Sequence, residues 1–490
     1  MLATKEERIA HLLRRFGWGA HERDLKNFRD LTEDQAIESI LSCAKDPEAP
    51  AVRFAFREKE DATPYSGYFR GHWIYAMLVQ RNPLRERLAI FWHDHFAVSD
   101  NKVEDGMMML QYIEELRRDP GGKFADILER VVTTPAFLKY LDVRSMIKSS
   151  PNENFARELF ELYTLGIGNY TEKDIKEAAR ALTGWSWMNT YWEYQGTHSD
   201  RLKGMIKYDR PFSAFAWVPT FHDETPKTIL GKTSNFDGHT LLQMVAKEKR
   251  CAEFICTKLW EHFVYPSPEP GVIKTLTAAY DKSGGEIRSV LRAMTKTSEF
   301  WGEKAIGKRV KSPYDFMIGI CRAQGADNGL RDQFKPGEAV DKPIPKESVD
   351  ATGGIGYWGF QMGMNLLFPD DVDGWSWGEG WISTNTMPKR TQFAGVLNWK
   401  MEKKDYYVPY YGTLPLIAHM VKANAQNTDE FTKAFLAFYD ASLSAESYAV
   451  IRDHFEKKNW KAALPDPRGI GWVLTEATKL MVAAPGYHLH

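Results

Sequence analysis

Residues 151–165, PNENFARELFELYTL, are the stretch around which this chain is organised. Asn152 is a good helix N-cap, and Glu153 and Asn154 place polar groups at the positive end of the helix dipole. The interior is rich in helix formers, and Gly166 and Gly168 supply the stop. At roughly 100° per residue, Phe155, Leu159, Phe160, Leu162 and Tyr163 share one arc. Asn154, Arg157, Glu158 and Glu161 share the opposite arc. That arc carries two carboxylates one turn apart, beside a guanidinium and an amide. On a surface helix it is a solvated face with a weak ion pair. On a helix buried on both sides it is a polar constellation held ready for chemistry.

The rest of the chain reads as further helices. Helical periodicity runs through residues 5–45, 68–80, 83–97, 107–118, 124–133, 172–182, 238–247, 250–264, 271–282, 286–297, 313–322 and 385–482. Thr171 with Asp174 forms a capping-box-like start. Residues 184–232 differ: they are rich in Trp, Tyr, Phe, Gly and Pro and carry little helical period. The expected fold is therefore mostly α, a large multi-helix domain in the form of a helical toroid or irregular bundle, with an aromatic, partly β insertion near 184–232. Residues 1–324 are read as the main domain, 325–350 as a linker or exposed loop, and 351–490 as a Trp-rich loop and helices packing on the same domain. No fixed-period repeat is present.

Composition narrows the function classes. The net charge is −1 with both signs interspersed, so no basic stripe favours nucleic acid. No apolar run is long enough to span a membrane. The first residues, MLATKEERIAHLLRRFG, lack the apolar core of a signal peptide. The expected location is cytoplasmic as the chain stands, or exported if a leader has been removed. Cys43, Cys251, Cys256 and Cys321 form no Cys-x-x-Cys and read as buried reduced thiols. Gly-x-Ser-x-Gly, the Walker loop, Gly-x-Gly-x-x-Gly after a strand and His-Glu-x-x-His are all missing, which weighs against serine hydrolase, P-loop, Rossmann and zincin readings.

Four groups of residues remain as candidates for chemistry. Glu158 and Glu161 can share an environment, so that one is protonated near neutral pH while the other is ionised, as an acid/base pair requires. His93-Asp94-His95 lies near a helix end, where imidazoles favour the negative dipole end; in an extended segment both histidines would face one side and could bind a metal. Phe221-His222-Asp223, followed by Lys227, is either a proton-transfer group on a loop or an Asx-type turn. Sixteen Trp are a high load, and several stand with Gly at 184–187, 357–360 and 374–381. Trp185 and Trp187, like Trp375 and Trp377, would share a face in extended backbone, and flat indoles stack on sugar rings. Trp381 completes the last cluster.

The segments HLLRRFGWG, FWHDHFAVS, PNENFARELFELYTLG, YTEKDIKEAARALTGW, FHDETPKTILGKT, KLWEHFV and FPDDVDGWSWGEGWI occur in this order over roughly residues 9–400. In this the chain resembles a bacterial family called domain of unknown function 1800. The resemblance implies a largely helical domain, often exported, and carries no assigned mechanism. The family pattern more often has His where this chain has Tyr163, and usually reads Trp-Leu-Asn-Thr where this chain has Trp381-Ile-Ser-Thr.

The preferred reading is a carbohydrate-active enzyme, a glycoside hydrolase or transglycosylase. Glu158, Glu161, His222 and Asp223 would be catalytic. Asn154, Arg157, Trp185, Trp187, Lys227, Trp375, Trp377 and Trp381 would bind an oligo- or polysaccharide. No cofactor is expected, although a divalent metal on His93, His95 and His222, with Glu158 as a further candidate ligand, defines a second reading, a metal-dependent enzyme. A third is a non-catalytic glycan-binding or scaffold protein.

Overall fold

Residues 4–43, 66–143, 146–189, 213–325, 346–397 and 414–490 are described by a computed structural model. The chain is mostly α. The helices that frame the site are α1 (Lys5–Phe16), α2 (Ser66–Val79), α3 (Leu84–His95), α4 (Gly106–Arg118), α5 (Phe124–Val132), α6 (Glu153–Glu158), α7 (Glu172–Leu182), α8 (Gly238–Val245), α9 (Lys249–Phe263), α10 (Pro313–Ala323), α11 (Lys346–Gln361), α12 (Thr386–Leu397) and α13 (Pro467–Ala483). Their starts follow local chemistry. Thr4, Thr171 and Ser312 make capping boxes, and the Asn152 side chain accepts the Phe155 amide at 3.0 Å.

Among the described residues two helices, α3 and α10, are buried along their whole length, and α3 carries the more charge. All of its residues are buried, including the charged run Arg85-Glu86-Arg87. Burial of those charges is compensated from neighbouring helices. Arg117 of α4 donates to both Glu86 oxygens, the shortest bond to each at 2.8 Å, and the Trp73 indole of α2 donates at 2.7 Å. Arg87 pairs with Asp315 of α10.

The helix at 152–165 lies to one side of this centre. Phe155, Leu159, Phe160 and Tyr163 are buried as the periodicity requires, while Asn154 is exposed and Arg157, Glu158, Glu161 and Leu162 are part-buried. After α6 the backbone opens into a π-helical turn over Leu159–Thr164, with the Leu165 amide bonded to the Phe160 carbonyl at 2.8 Å. The wider turn shifts the phase of everything beyond residue 158, so the polar arc drawn at a constant 100° does not persist.

Among the described residues two small antiparallel pairs make up the strands: β1 (Trp185–Asn189) with β2 (Ser213–Trp217), and β3 (Lys227–Ile229) with β4 (Lys232–Ser234). They fall in the aromatic insertion, whose residues 190–212 lie outside the described ones. Two boundaries differ from expectation. The expected linker at 325–350 ends in helix, since α11 begins at Lys346, and the Gly-Trp stretch from 353 continues that helix to Gln361 instead of forming a loop. Its glycines serve close packing: a Cβ on Gly356 would sit 2.6 Å from Arg70 Nε of α2, and one on Gly359 would sit 2.7 Å from the Tyr314 hydroxyl of α10. The C-terminal helices return to the N-terminal ones, with Arg14 of α1 paired to Asp440 at 2.5 Å. The four cysteines are free and buried, as expected. Among the described residues no helix is long and apolar enough to cross a membrane.

Candidate active site

The last turn of α3 carries His93, Asp94 and His95, and successive helical residues point in different directions. His93 faces the core. Its Nε2 accepts the Leu367 amide at 3.0 Å, so its Nδ1 bears the proton and donates to the Tyr112 hydroxyl at 2.9 Å. That hydroxyl donates in turn to the Phe96 carbonyl at 2.9 Å. Burial lowers the His93 pKa to about 3, so the ring is neutral with both nitrogens in use. His95 donates from Nε2 to the Tyr163 carbonyl at 3.1 Å, and its buried Nδ1 has no hydrogen-bond partner among the described residues.

Asp94 faces the loop at 371–381. Its Oδ1 accepts the Trp375 amide and its Oδ2 the Trp377 indole N–H, both at 2.9 Å. Gly374 makes this approach possible. Its φ is +95°, and a Cβ there would lie 2.4 Å from Oδ1. Burial raises the Asp94 pKa to about 6. The two donors and the Lys258 ammonium oppose that rise, and Asp373 adds to it. Asp94 is thus a nearly buried carboxyl that still holds its proton well above the ordinary carboxylate range.

Above it lies a cleft of about 530 Å³, whose lining includes Asp94, Lys258, His262, Arg309, Trp377 and Trp381. The motif KLWEHFV occupies the last turns of α9 and puts Lys258, Glu261 and His262 on the cleft side, at i, i+3 and i+4. Trp377 is 40% exposed and forms an aromatic wall. Its ring meets His262 edge-on at 4.8 Å and Trp381 at 5.3 Å. His262 is buried, and desolvation, with Arg309 and Arg87 nearby, pushes its pKa well below the ordinary value, so it is a neutral imidazole. Arg309 is held by Nε donation to the His262 carbonyl at 2.6 Å and by Asp315 at 2.9 Å. Lys258 passes over the Phe254 ring at 5.2 Å and makes no hydrogen bond or ion pair among the described residues. It also lines a second cavity of about 250 Å³, together with His95, Glu161, Phe254 and Asp373. Lys258 therefore stands between two adjoining cavities.

The residues expected to converge do so only in part. Trp377 and Trp381 line the cleft, and Trp375 is buried behind it, edge-on to His93 at 4.9 Å. Glu161 reaches the smaller cavity, where the Tyr170 hydroxyl donates to it at 2.7 Å. Glu158 is half-buried, its pKa raised by desolvation and by Glu161, but it does not line either cavity. Arg157 pairs at 2.7 Å with Glu172 of α7 on the surface, and Asn154 is exposed on the first turn. His222 and Asp223 belong to a separate cluster. His222 bonds the Thr183 carbonyl through Nδ1 at 2.8 Å, and its ring lies 4.9 Å from Trp217. Asp223 pairs with Arg180 at 2.8 Å, which holds its carboxyl far below the ordinary range, and accepts the Thr225 amide at 2.9 Å. This is the Asx-type turn reading. The buried Lys227 ammonium bonds the Asp223 carbonyl and Asn235, so it ties the loop down. Trp185 is buried beside Phe215 and Phe155, and Trp187 is part-buried on β1.

The histidine set proposed for a metal does not assemble. His93 has both nitrogens engaged, His95 faces Tyr163, and His222 is bound to Thr183. Among the described residues no group of three His, Cys, Asp or Glu side chains is placed to hold a metal ion.

Asp94, Lys258, Glu261, His262 and Arg309 were not singled out from the sequence. For all but Arg309 the signal was available in the segments FWHDHFAVS and KLWEHFV, each of which sets charged residues inside an aromatic run. No curated protein and no solved structure matches the chain. A family model described as "Protein of unknown function (DUF1800)" matches residues 11–489. Since that match takes in nearly the whole chain, the protein belongs to the DUF1800 family.

Proposed function

We propose that this cleft is the active site of a carbohydrate-active enzyme, a glycoside hydrolase or transglycosylase, in which Asp94 is the general acid. The observation that carries the reading is a carboxyl with its pKa raised to about 6 at the inner wall of a Trp-walled cleft. A proton donor of that strength suits protonation of a glycosidic oxygen, which leaves as a hydroxyl. Trp377 offers an exposed indole face for a sugar ring, and its N–H bond to Asp94 fixes platform and acid relative to each other. Glu261 and Glu379, exposed at the rim, are candidates for the ionised carboxylate that activates water or an acceptor hydroxyl. The smaller cavity beyond Lys258 gives room for a further sugar unit on the Glu161 side.

A non-catalytic glycan-binding protein is the second reading. It is favoured by the fact that both Asp94 oxygens already hold the 371–381 loop. The two are separated by screening oligosaccharides for binding and for new reducing ends, with Asp94→Asn as control. A catalytic acid predicts binding in both proteins and turnover in the wild type alone. Binding without turnover in either supports the second reading, and no binding to any oligosaccharide overturns both.

A further inference from the structure

Behind the cleft the charges do not balance. Arg15, Arg87 and Arg309 are all buried, at 0%, 2% and 7% exposure. Among the described residues one buried side-chain carboxylate, Asp315, meets them, and it serves both Arg87 and Arg309. Arg15 has no side-chain carboxylate partner among the described residues: its terminal nitrogens donate to the main-chain oxygens of Val264 and His490 at 3.4 and 3.2 Å, and its Nε has no partner. His262 and the His490 side chain lie within reach of these cations and are held neutral. A small cavity lined by Arg87, Asp315, Asp94, His262, Trp377 and Trp381 shares four of those walls with the cleft. Arg309 lines the cleft itself, as do Lys258 and the exposed Lys308.

Opposing charge comes from Asp94, from the exposed Asp373 near Lys258 and from two rim glutamates. Asp94 is protonated below about pH 6 and so adds little negative charge there. Glu261 and Glu379 are exposed at the rim, where water screens them, and Glu261 already accepts the Ser267 amide at 3.0 Å. Buried charges act through a medium of low dielectric, so their field is focused into the opening. An anion placed in the cleft would offset a cost the fold otherwise carries uncompensated.

We infer that the cleft takes an anionic glycan, one whose sugar units carry a carboxylate or a sulfate ester, and not a neutral one. This rests on the reading of the cleft as a carbohydrate site. The aromatic wall would take the ring face, and the Arg309 and Lys308 side the acidic substituent, since guanidinium and ammonium groups both donate strongly to carboxylate and sulfate oxygens.

The test compares matched pairs that differ chiefly in charge. Oligogalacturonate is set against its methyl ester, and sulfated dextran oligomers against plain dextran of equal length, by calorimetry at low and moderate salt. The two pairs distinguish carboxylate from sulfate as the anion. The expected result is binding of one charged member, weakened by salt, with its neutral partner much weaker. Lys308→Glu, at an exposed position, should lower that affinity by about fivefold or more, and Trp377→Ala should abolish it. Equal binding of charged and neutral members, with Lys308→Glu silent, overturns the inference and leaves the glycan reading intact. Charged binding that survives Trp377→Ala places the anion outside the cleft and also overturns it. Binding of no oligomer overturns the inference together with the reading beneath it.

Discussion

Asp94 is a carboxyl group that the fold would hold more cheaply as the neutral acid. Its native pKa of about 6 lies above the ordinary 3.8, so the native state keeps a proton that the unfolded chain has lost between those values. The sign follows directly: stability is full below about pH 4, falls as pH rises to about 6, and then carries a constant cost of about 3 kcal/mol. Urea melts at pH 4, 5, 6 and 7.5 should show this slope in the wild type, and Asp94→Asn should remove it. The same variant should fold and lose turnover by about two to four orders of magnitude on an active glycan. A second residue tests the geometry. Gly374 is at φ +95°, and an added Cβ would collide with the carboxyl it faces. Gly374→Ala should cost about 1–3 kcal/mol in a denaturant titration and should weaken catalysis, because the Trp375 and Trp377 donors must retreat from Asp94. Unchanged stability would mean that the loop accommodates a side chain there.

At the scale of the elements, two helices exchange the roles that periodicity suggests. Residues 152–165 combine good caps with a clean apolar arc, and both features were legible because they are local. What a helix packs against on its other side is not local. Arg157 meets the exposed Glu172 of the next helix, whereas Arg117 reaches into the core for Glu86 of α3. Arg157→Ala should therefore change stability by no more than about 1 kcal/mol. Arg117→Met leaves Glu86 buried without its cation and should cost about 3–5 kcal/mol. Paired thermal melts check both, and a large loss at Arg157 with none at Arg117 would return the central role to residues 152–165. The π turn after Glu158 separates the acidic pair: one wider turn leaves Glu161 in the smaller cavity and Glu158 outside it.

Across the whole molecule, the helical class, the capped starts, the buried thiols and the short strands near 184–232 follow from composition and local pattern. The family was also legible, since its long segments survive nearly end to end. The site was legible only in pieces. Trp377 and Trp381 announced themselves as indoles among glycines, but Asp94 stood between two more conspicuous histidines, and Lys258 and His262 sat in a helix that reads as core. Their meeting depends on α3, α9 and the 371–381 loop converging from positions far apart in the chain, which no local period encodes. Gly356 and Gly359 misled for a related reason: glycine suggests a loop, yet here it lets helices approach. The central claim is that the protonated Asp94 carboxyl waits at this convergence, and it can be tested without any substrate. Infrared difference spectra of protein carrying labelled aspartate, recorded from pH 4 to 8 for wild type and Asp94→Asn, isolate this one carboxyl. A band of protonated carboxyl that disappears with a midpoint near pH 6, and is missing in the variant, is the predicted result. A midpoint at or below pH 4 would contradict the account.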